Sequence, residues 1–280
     1  MRSIDIICPL YNAEAFIENL NNSLLKQEKV KINKINYILT ESKDKSESIL
    51  NNLCIEYKKI KPSEFSHSLT RERFAMKSES DIIVFITQDI VIERDDWLYN
   101  LTKDIDDDIV AAYSRQLPKY ENLEKYTREK NYPKESRTVS REDINELGLR
   151  TFFFSDASSA INLGVFKELK GYDGKKLPIS EDMYFAYKVI MNGYKIKYCS
   201  DSEVVHSHQF TLKEIYERYK LTGKFFKENS YLDTYGTNSS GADMAKYIFK
   251  RILQDKNYKL LFRFPLDMCS RYLGMKAGQR

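Results

Sequence analysis

The sequence predicts an α/β fold with a parallel sheet, and three observations carry that reading. The run Ile82 to Ile86 is short, wholly apolar and mostly β-branched, as expected of a strand buried on both faces. Strand-like runs alternate with helical periodicity through the first half, the pattern of β-α units feeding a parallel sheet. Residues able to hold a ligand fall just past the strand ends. Open α/β sheets place their crevice along that edge.

The elements follow in order. Ser3 to Cys8 reads as a first strand, ended by Pro9. Asn12 can cap a helix from Ala13 to about Gln27, in which Phe16, Leu20, Leu24 and Leu25 recur at helical spacing. Ile35 to Thr40 is a second strand with the polar exit TESKDKSES, and Glu47 to Lys58 has the spacing of a second surface helix. A third helix runs from Phe65 to about Lys77, and the central strand follows. Asp95 and Asp96 precede Trp97 at the positive end of a helix, and Ile109 to Ser114 is a further strand leading into Arg115 and Gln116. Residues 119–150 are polar and read as an excursion over the site. Thr151 to Leu163 returns to apolar character around Asp156. Ser180 is a natural N-cap for a helix opening with Glu181 and Asp182. Two short strands, Lys195 to Tyr198 and Glu203 to Val205, lead into His206-Ser207-His208, and Phe210 to Phe226 is helical and aromatic. These signals divide the chain into a catalytic body (1–228), a Gly- and Ser-rich linker (229–244) and a basic helical tail (245–280) broken at Pro265.

Composition narrows the function. With 280 residues and 42% hydrophobic content the chain can bury one substantial core with an appendage. The four cysteines (8, 54, 199 and 269) have neither CxxC nor metal-site spacing. They are expected as reduced, mostly buried thiols of a cytoplasmic protein. Asp5 interrupts an N-terminal apolar run too short for a signal peptide, and no stretch has the roughly 18 apolar residues of a membrane span. The net charge is +4, yet residues 245–280 carry nine Lys or Arg against two Asp, so the tail is at +7 and the rest at −3. Such a tail suits an anionic lipid surface; no nucleic-acid partner is expected. The chain has no G-x-G-x-x-G after the first strand and no G-x-x-x-x-G-K-[ST], so it lacks the fingerprints of a dinucleotide enzyme and of a P-loop NTPase. A diphosphate bound here needs another cation, and a metal held by Asp89 would supply it.

The candidate site residues each have a plain alternative. Asp89 is either a metal–phosphate ligand or a turn aspartate bonded to its own backbone. His206 and His208, spaced i and i+2 after a strand, point to one face and can address one centre, or are solvated loop residues. Imidazoles with a single carboxylate would favour Mn²⁺ over Mg²⁺. Glu181 and Asp182 either stabilise a helix start or supply a carboxylate base for an attacking hydroxyl. Arg71 is a helix-surface charge or the partner of a diphosphate. Glu41 is a solvated turn residue or accepts from a pyrimidine N–H, and Tyr11 stacks on that ring or merely packs.

In combination the segments IDIICPLYNAEAFI, FSHSLTRERFA, VFITQDI, SEDM and VVHSHQF resemble family 2 glycosyltransferases of the GT-A fold. The segments TQDI, RQLP, NYP, FFSDASSAI, HSH and the terminal RYLGMKAGQR resemble the bacterial rhamnosyltransferase branch. The likeness runs over nearly the whole chain. It implies a Rossmann-like nucleotide-binding half, a mixed central sheet flanked by helices and a C-terminal helical appendage. It implies transfer of L-rhamnose from dTDP-β-L-rhamnose, or of another sugar from a UDP-hexose, by a single inverting displacement. Pro9 and Tyr11 would line the base pocket with Glu41, although TESKDKS departs from the usual aspartate-rich loop there. Arg71 and Gln88 would lie near the nucleotide, and Arg115, Gln116, Asp156 and Glu181 near the donor and acceptor sugars. Asp182 would be the general base. Thr87-Gln88-Asp89 stands where such enzymes carry a DxD motif and keeps only the last acid. Asp89 with His206 or His208 would hold a divalent metal, Mn²⁺ or Mg²⁺. The acceptor implied is a growing glycan on a lipid carrier, met at the inner face of the membrane. The tail would grip that membrane, or pack on the body or on a second subunit as a homodimer. A binding-only subunit of a transferase complex is the other reading, and it would have no need of a base.

Overall fold

The computed structural model describes residues 1–280, the side chains of residues 237–240 excepted. The first half is β1 (Ser3–Leu10), α1 (Ile17–Leu25), β2 (Lys31–Thr40), α2 (Ser46–Asn52), β3 (Tyr57–Ile60), α3 (His67–Ala75) and β4 (Ile82–Ile86). Next come α4 (Trp97–Thr102), β5 (Ile109–Leu117), α5 (Leu123–Asn131), β6 (Arg137–Val139), α6 (Ile144–Leu147), β7 (Ser158–Asn162) and α7 (Leu163–Glu168). The chain ends with α8 (Glu181–Met191), β8 (Lys195–Val205), α9 (Leu212–Glu228), α10 (Thr237–Gln254) and α11 (Tyr258–Gln279). The eight strands form one sheet in the order β3-β2-β1-β4-β7-β5-β8-β6. The first four strands are parallel, whereas β7 runs antiparallel to both β4 and β5, and β6 is antiparallel to β8. The sheet is therefore mixed, as the family resemblance implies: its first four strands are parallel, and beyond antiparallel β7 the strands β5 and β8 pair parallel again.

The core explains why Ile82–Ile86 is apolar at every position. Ile83 and Phe85 join a cluster with Phe152, Phe166 and Phe185 on one face of the sheet. Ile82, Val84 and Ile86 join Leu20, Trp97 and Leu101 on the other. Period-two alternation sends successive side chains to opposite faces, and here both faces are covered.

Several local readings of the sequence are corrected. Asn12 adopts φ 49° and caps nothing; α1 begins only at Ile17. The second helix stops at Asn52, and Tyr57–Ile60 forms an edge strand paired with β2. The stretch read as a linker is helical, with a 3₁₀ turn at Ser230–Tyr235 running into α10. Pro265 breaks no helix. Helix α11 passes through it, and the interruption lies at 255–257, where the Asn257 side chain accepts the N–H of Leu260. Two cysteines (Cys8, Cys199) are buried and two (Cys54, Cys269) exposed, all free.

The C-terminal helices pack on the body. Helix α11 crosses α9 at Gly223 and Gly274, where a Cβ would come within 2.3 Å of the carbonyl oxygens of Met275 and Tyr216 respectively. Only glycine allows backbones that close. Ile248 and Ile252 of α10 bury against Leu123 and Tyr126 of α5. Among the described residues no helix is long and apolar enough to cross a membrane.

Candidate active site

Three donors converge beyond the ends of β4 and β8. The segment after β4 is tied to β8 by paired backbone hydrogen bonds of 2.9 Å between Val91 and Val205. That pairing sets Asp89 against the histidines that follow Val205. Asp89 Oδ2 lies 3.4 Å from His206 Nε2 and 3.6 Å from His208 Nδ1. The two imidazole rings are edge to face, with centroids 4.7 Å apart. Burial pushes the Asp89 carboxyl up, but His206 and then His208, when protonated, hold it well below the carboxylate range. Burial, then the charge of His206, keeps His208 below the usual imidazole range.

The surroundings fix the ring of His206. Arg128 Nη1 donates to Gln116 Oε1, and Gln116 Nε2 donates to Ser155 Oγ at 2.8 Å. The amide oxygen therefore faces His206 Nδ1 at 2.8 Å and must accept a proton from it. In the neutral ring that leaves Nε2 carrying the lone pair. It is buried, has no hydrogen-bond partner, and points toward Asp89. An unprotonated nitrogen facing a carboxylate is unfavourable unless a cation lies between them. The spacings of 3.4 and 3.6 Å are near the roughly 3 Å that separates neighbouring ligands around a metal with bonds of about 2.1 Å. The residues present thus fit a divalent cation, with Gln116 orienting one ligand from behind. Arg128 also pairs with Glu124 Oε1 at 2.6 Å, and Glu124 Oε2 accepts the His208 N–H at 2.9 Å. Arg128 and Glu124 sit on α5, inside the segment read as an excursion, and no sequence spacing ties them to His206.

A second polar cluster surrounds the start of α8. Arg71, buried on α3, donates through Nη1 to the His67 carbonyl at 2.9 Å and to Glu181 Oε1 at 3.3 Å. Asp156 is buried beside it and accepts from Tyr172 Oη at 2.6 Å and Ser159 Oγ at 2.8 Å. Burial outweighs the pull of Arg71 and lifts Asp156 to about 6. Burial raises Glu181 too, again against Arg71. Asp182 is raised well above the carboxylate range, first by burial and then by the neighbouring Glu181 and Asp156 charges. Its Oδ1 accepts the Met183 N–H at 2.7 Å, which leaves Oδ2 for chemistry. Ser180 provides no side-chain cap. It adopts φ 61°, a left-handed conformation that costs of order 1–3 kcal/mol for a non-glycine residue, and α8 begins directly after it. The thiol of Cys8 in β1 feels the charges of both Arg71 and Asp89, so the two clusters adjoin.

The remaining candidates are distributed unevenly. Pro9 lies within β1 and Tyr11 just beyond it, with its ring more than half exposed. Gln88 clamps Tyr11: its Oε1 accepts the Tyr11 N–H at 2.7 Å and its Nε2 donates to the Tyr11 carbonyl at 2.8 Å. Glu41 is exposed at the end of β2 on the same edge. The acid that organises that loop is Asp44, which accepts from Ser42, Ser46 and the Glu14 N–H. Its signal was the Ser-x-Asp-x-Ser spacing within TESKDKSES. Arg115 is engaged by a neighbouring strand. It sits opposite Glu203 in the β5–β8 register and pairs with it at 2.7 Å, as a cross-strand ion pair. Adjacent strand residues point to opposite faces, so Gln116 reaches His206 and Arg115 does not. Asp156 and Glu181 are buried around Arg71.

Next to His208 a cavity of about 470 Å³ separates the body from α9 and α11, lined by Ile179, Phe210, Arg218, Arg263 and Arg271 among others. Arg271 is engaged by Asp267 and Tyr219, while Arg218 lies 4.8 Å over the Phe210 ring.

Comparison with known proteins accounts for this arrangement. Residues 5–170 match the model of glycosyl transferase family 2. The O-antigen chain rhamnosyltransferase RfbN of Salmonella typhimurium is 32% identical, covering 99% of this chain and 89% of its own. The O-antigen chain rhamnosyltransferase WbaN of Salmonella anatum is also 32% identical, covering 100% and 90%. Among solved structures, the mannosyltransferase PcManGT of Pyrobaculum calidifontis, in complex with GDP-Man and Mn²⁺, superposes with a TM-score of 0.58 at 15% identity, over 98% of this chain and 74% of that one. The mixed sheet with its flanking helices is the GT-A fold. With the family model spanning more than half the chain and a third of its residues shared with those relatives from end to end, the chain belongs to glycosyltransferase family 2.

Proposed function

We propose that this glycosyltransferase moves L-rhamnose from dTDP-β-L-rhamnose to a hydroxyl of a lipid-linked glycan, with inversion, in bacterial cell-surface polysaccharide synthesis. The observation that carries the choice of sugar is the end-to-end similarity to two proteins named O-antigen chain rhamnosyltransferases. The chemistry rests on Asp182, the carboxylate at the head of α8 with one oxygen uncommitted.

In this reading Pro9, Tyr11 and Glu41 receive the base, and Gln88 holds Tyr11 in place for it. Asp89, His206 and His208 hold a divalent cation, Mn²⁺ or Mg²⁺, which when bound would draw off the charge that builds on the leaving diphosphate. The acceptor oxygen attacks the anomeric carbon from the face opposite the diphosphate. As that C–O bond forms, the bond to the diphosphate oxygen breaks, and the electron pair leaves with the nucleoside diphosphate. The hydroxyl proton passes to Asp182 Oδ2. An α-L-rhamnoside results. The raised proton affinity of Asp182 brings its pKa toward the operating pH, which strengthens it as a base. Arg71 offsets part of the charge on Glu181 and Asp156, so that Asp182 can ionise beside them.

The test is release of nucleoside diphosphate from a panel of nucleotide sugars with Mn²⁺, with Mg²⁺ and with EDTA. A metal-dependent response to dTDP-rhamnose alone is expected. A response to a UDP-sugar instead would remove rhamnose and keep the mechanism. No release from any donor, with a thermal shift retained, would favour a binding-only subunit.

A further inference from the structure

Helix α11 presents two opposite faces. Leu260, Arg263, Asp267 and Arg271 line the cavity beside His208. Tyr258, Phe262, Leu266 and Leu273 are exposed, Phe262 at 80%. The second set is offset from the first by two residues, about 200° around a helix of 3.6 residues per turn. The outer stripe is thus the back of the cavity wall. It extends over much of the roughly 33 Å length of a 22-residue helix. Helix α10 adds Phe249 and Leu253, both nearly half exposed, next to its buried Ile248 and Ile252. Isolated exposed apolar side chains are ordinary, but a stripe of four along one face of one helix marks an interaction surface.

The charge around the stripe identifies what it meets. Lys246 and Lys250 alternate with Phe249 and Leu253 along the exposed face of α10. Lys259 and Lys276 lie on the same side of α11 as Phe262 and Leu273, and all four lysines are exposed. Among the described residues, Arg251 and Asp255 of this region pair with each other, and Arg251 also with Glu129. No ion pair occupies Lys246, Lys250 or Lys259. Aromatic and aliphatic side chains rimmed by unpaired lysines match the boundary between acyl chains and anionic headgroups. A second copy of the chain would bring like charge against like.

We propose that the outer face of α10 and α11 docks on an anionic bilayer, so that the cavity beside His208 stands directly behind the membrane-bound face. This goes beyond the choice of donor sugar and holds whichever sugar is transferred. A lipid-linked acceptor held in the same bilayer would then need to reach only across one helix.

Flotation of the full-length protein with vesicles tests it, using phosphatidylcholine alone and phosphatidylcholine mixed with phosphatidylglycerol. The wild type should float with the anionic vesicles and much less with the neutral ones. At about fivefold for each well-placed lysine, Lys250→Glu with Lys259→Glu should lower partitioning by about 25-fold or more. Phe262→Ser with Leu266→Ser should lower it independently. Both variants should keep wild-type release of nucleoside diphosphate from free donor, which shows that they fold. Failure of the wild type to float with anionic vesicles would overturn the proposal. Variants that float as well as the wild type would also do so. A dimer in light scattering that the serine variant dissolves, without vesicle binding, would assign the face to a second copy.

Discussion

The two polar clusters of the site are built on opposite principles. The Asp89–His206–His208 group is sparse and open, with a buried ring nitrogen that has no partner and ligand atoms too far apart to bond one another well. The Arg71–Asp156–Glu181 group is dense and closed, with both carboxylates engaged and Arg71 bonded through Nη1, its buried Nε alone without a partner. An unsatisfied buried polar atom costs free energy unless something supplies the missing bond. In the open cluster the missing partner lies between metal-ligand side chains, where a cation would supply it. The closed cluster is held by its own ion pair and hydrogen bonds, and its charges, after burial, raise the proton affinity of Asp182 at its edge.

The comparison is broken most severely through Asp182. Asp182→Asn should lower turnover by about 10²–10⁴-fold, while the thermal shift on binding nucleoside diphosphate persists. Near-normal turnover would remove the base. The same residue sets the pH dependence. A raised pKa means that the carboxylate takes up a proton at a higher pH than an ordinary aspartate, and only the ionised form accepts one from the acceptor. The acid limb of kcat/KM should thus lie above the usual carboxylate range, with activity rising as pH increases through it.

The open cluster is tested from behind. Gln116→Ala removes the acceptor of the His206 Nδ1 proton without touching a ligand atom. Loss of such a support weakens metal binding by about 10–100-fold, measurable as a Mn²⁺ titration followed by electron paramagnetic resonance. An unchanged affinity would mean that the ring is held by something else. The smallest effect is expected one residue away. Arg115→Ala breaks a partly exposed ion pair with Glu203, costs less than about 1 kcal/mol in chemical unfolding, and leaves the donor KM unchanged. A tenfold rise in KM would return Arg115 to the donor pocket.

What was legible in the sequence follows the same division. The His206-Ser207-His208 spacing beyond a strand, and Asp89 beyond Ile82–Ile86, could be read because strand parity and apolar runs are local signals. Strand β3 could not, because its Tyr-Lys-Lys-Ile sits on a sheet edge where only Ile60 is fully buried. Parity also separates Arg115 from Gln116, but which of the two faces the site depends on the β5–β8 register. The support from Arg128 was invisible. It reaches Gln116 across a chain excursion, and only folding brings α5 to the end of β8. The buried environment that lifts Asp156 and Asp182 is likewise a property of packing, since neither residue type nor spacing reports desolvation.

The crossing of α9 and α11 at Gly223 and Gly274 acts as a caliper for the cavity beside His208. Its jaws are the two helices, and their gap is set by the absence of methyl groups at Gly223, Gly274 and also Gly278. Any larger side chain at these points must force the jaws apart, because what it meets is backbone carbonyl rather than a side chain that can swing away. The bore of the cavity beside His208 is thereby gauged by residues that do not line it.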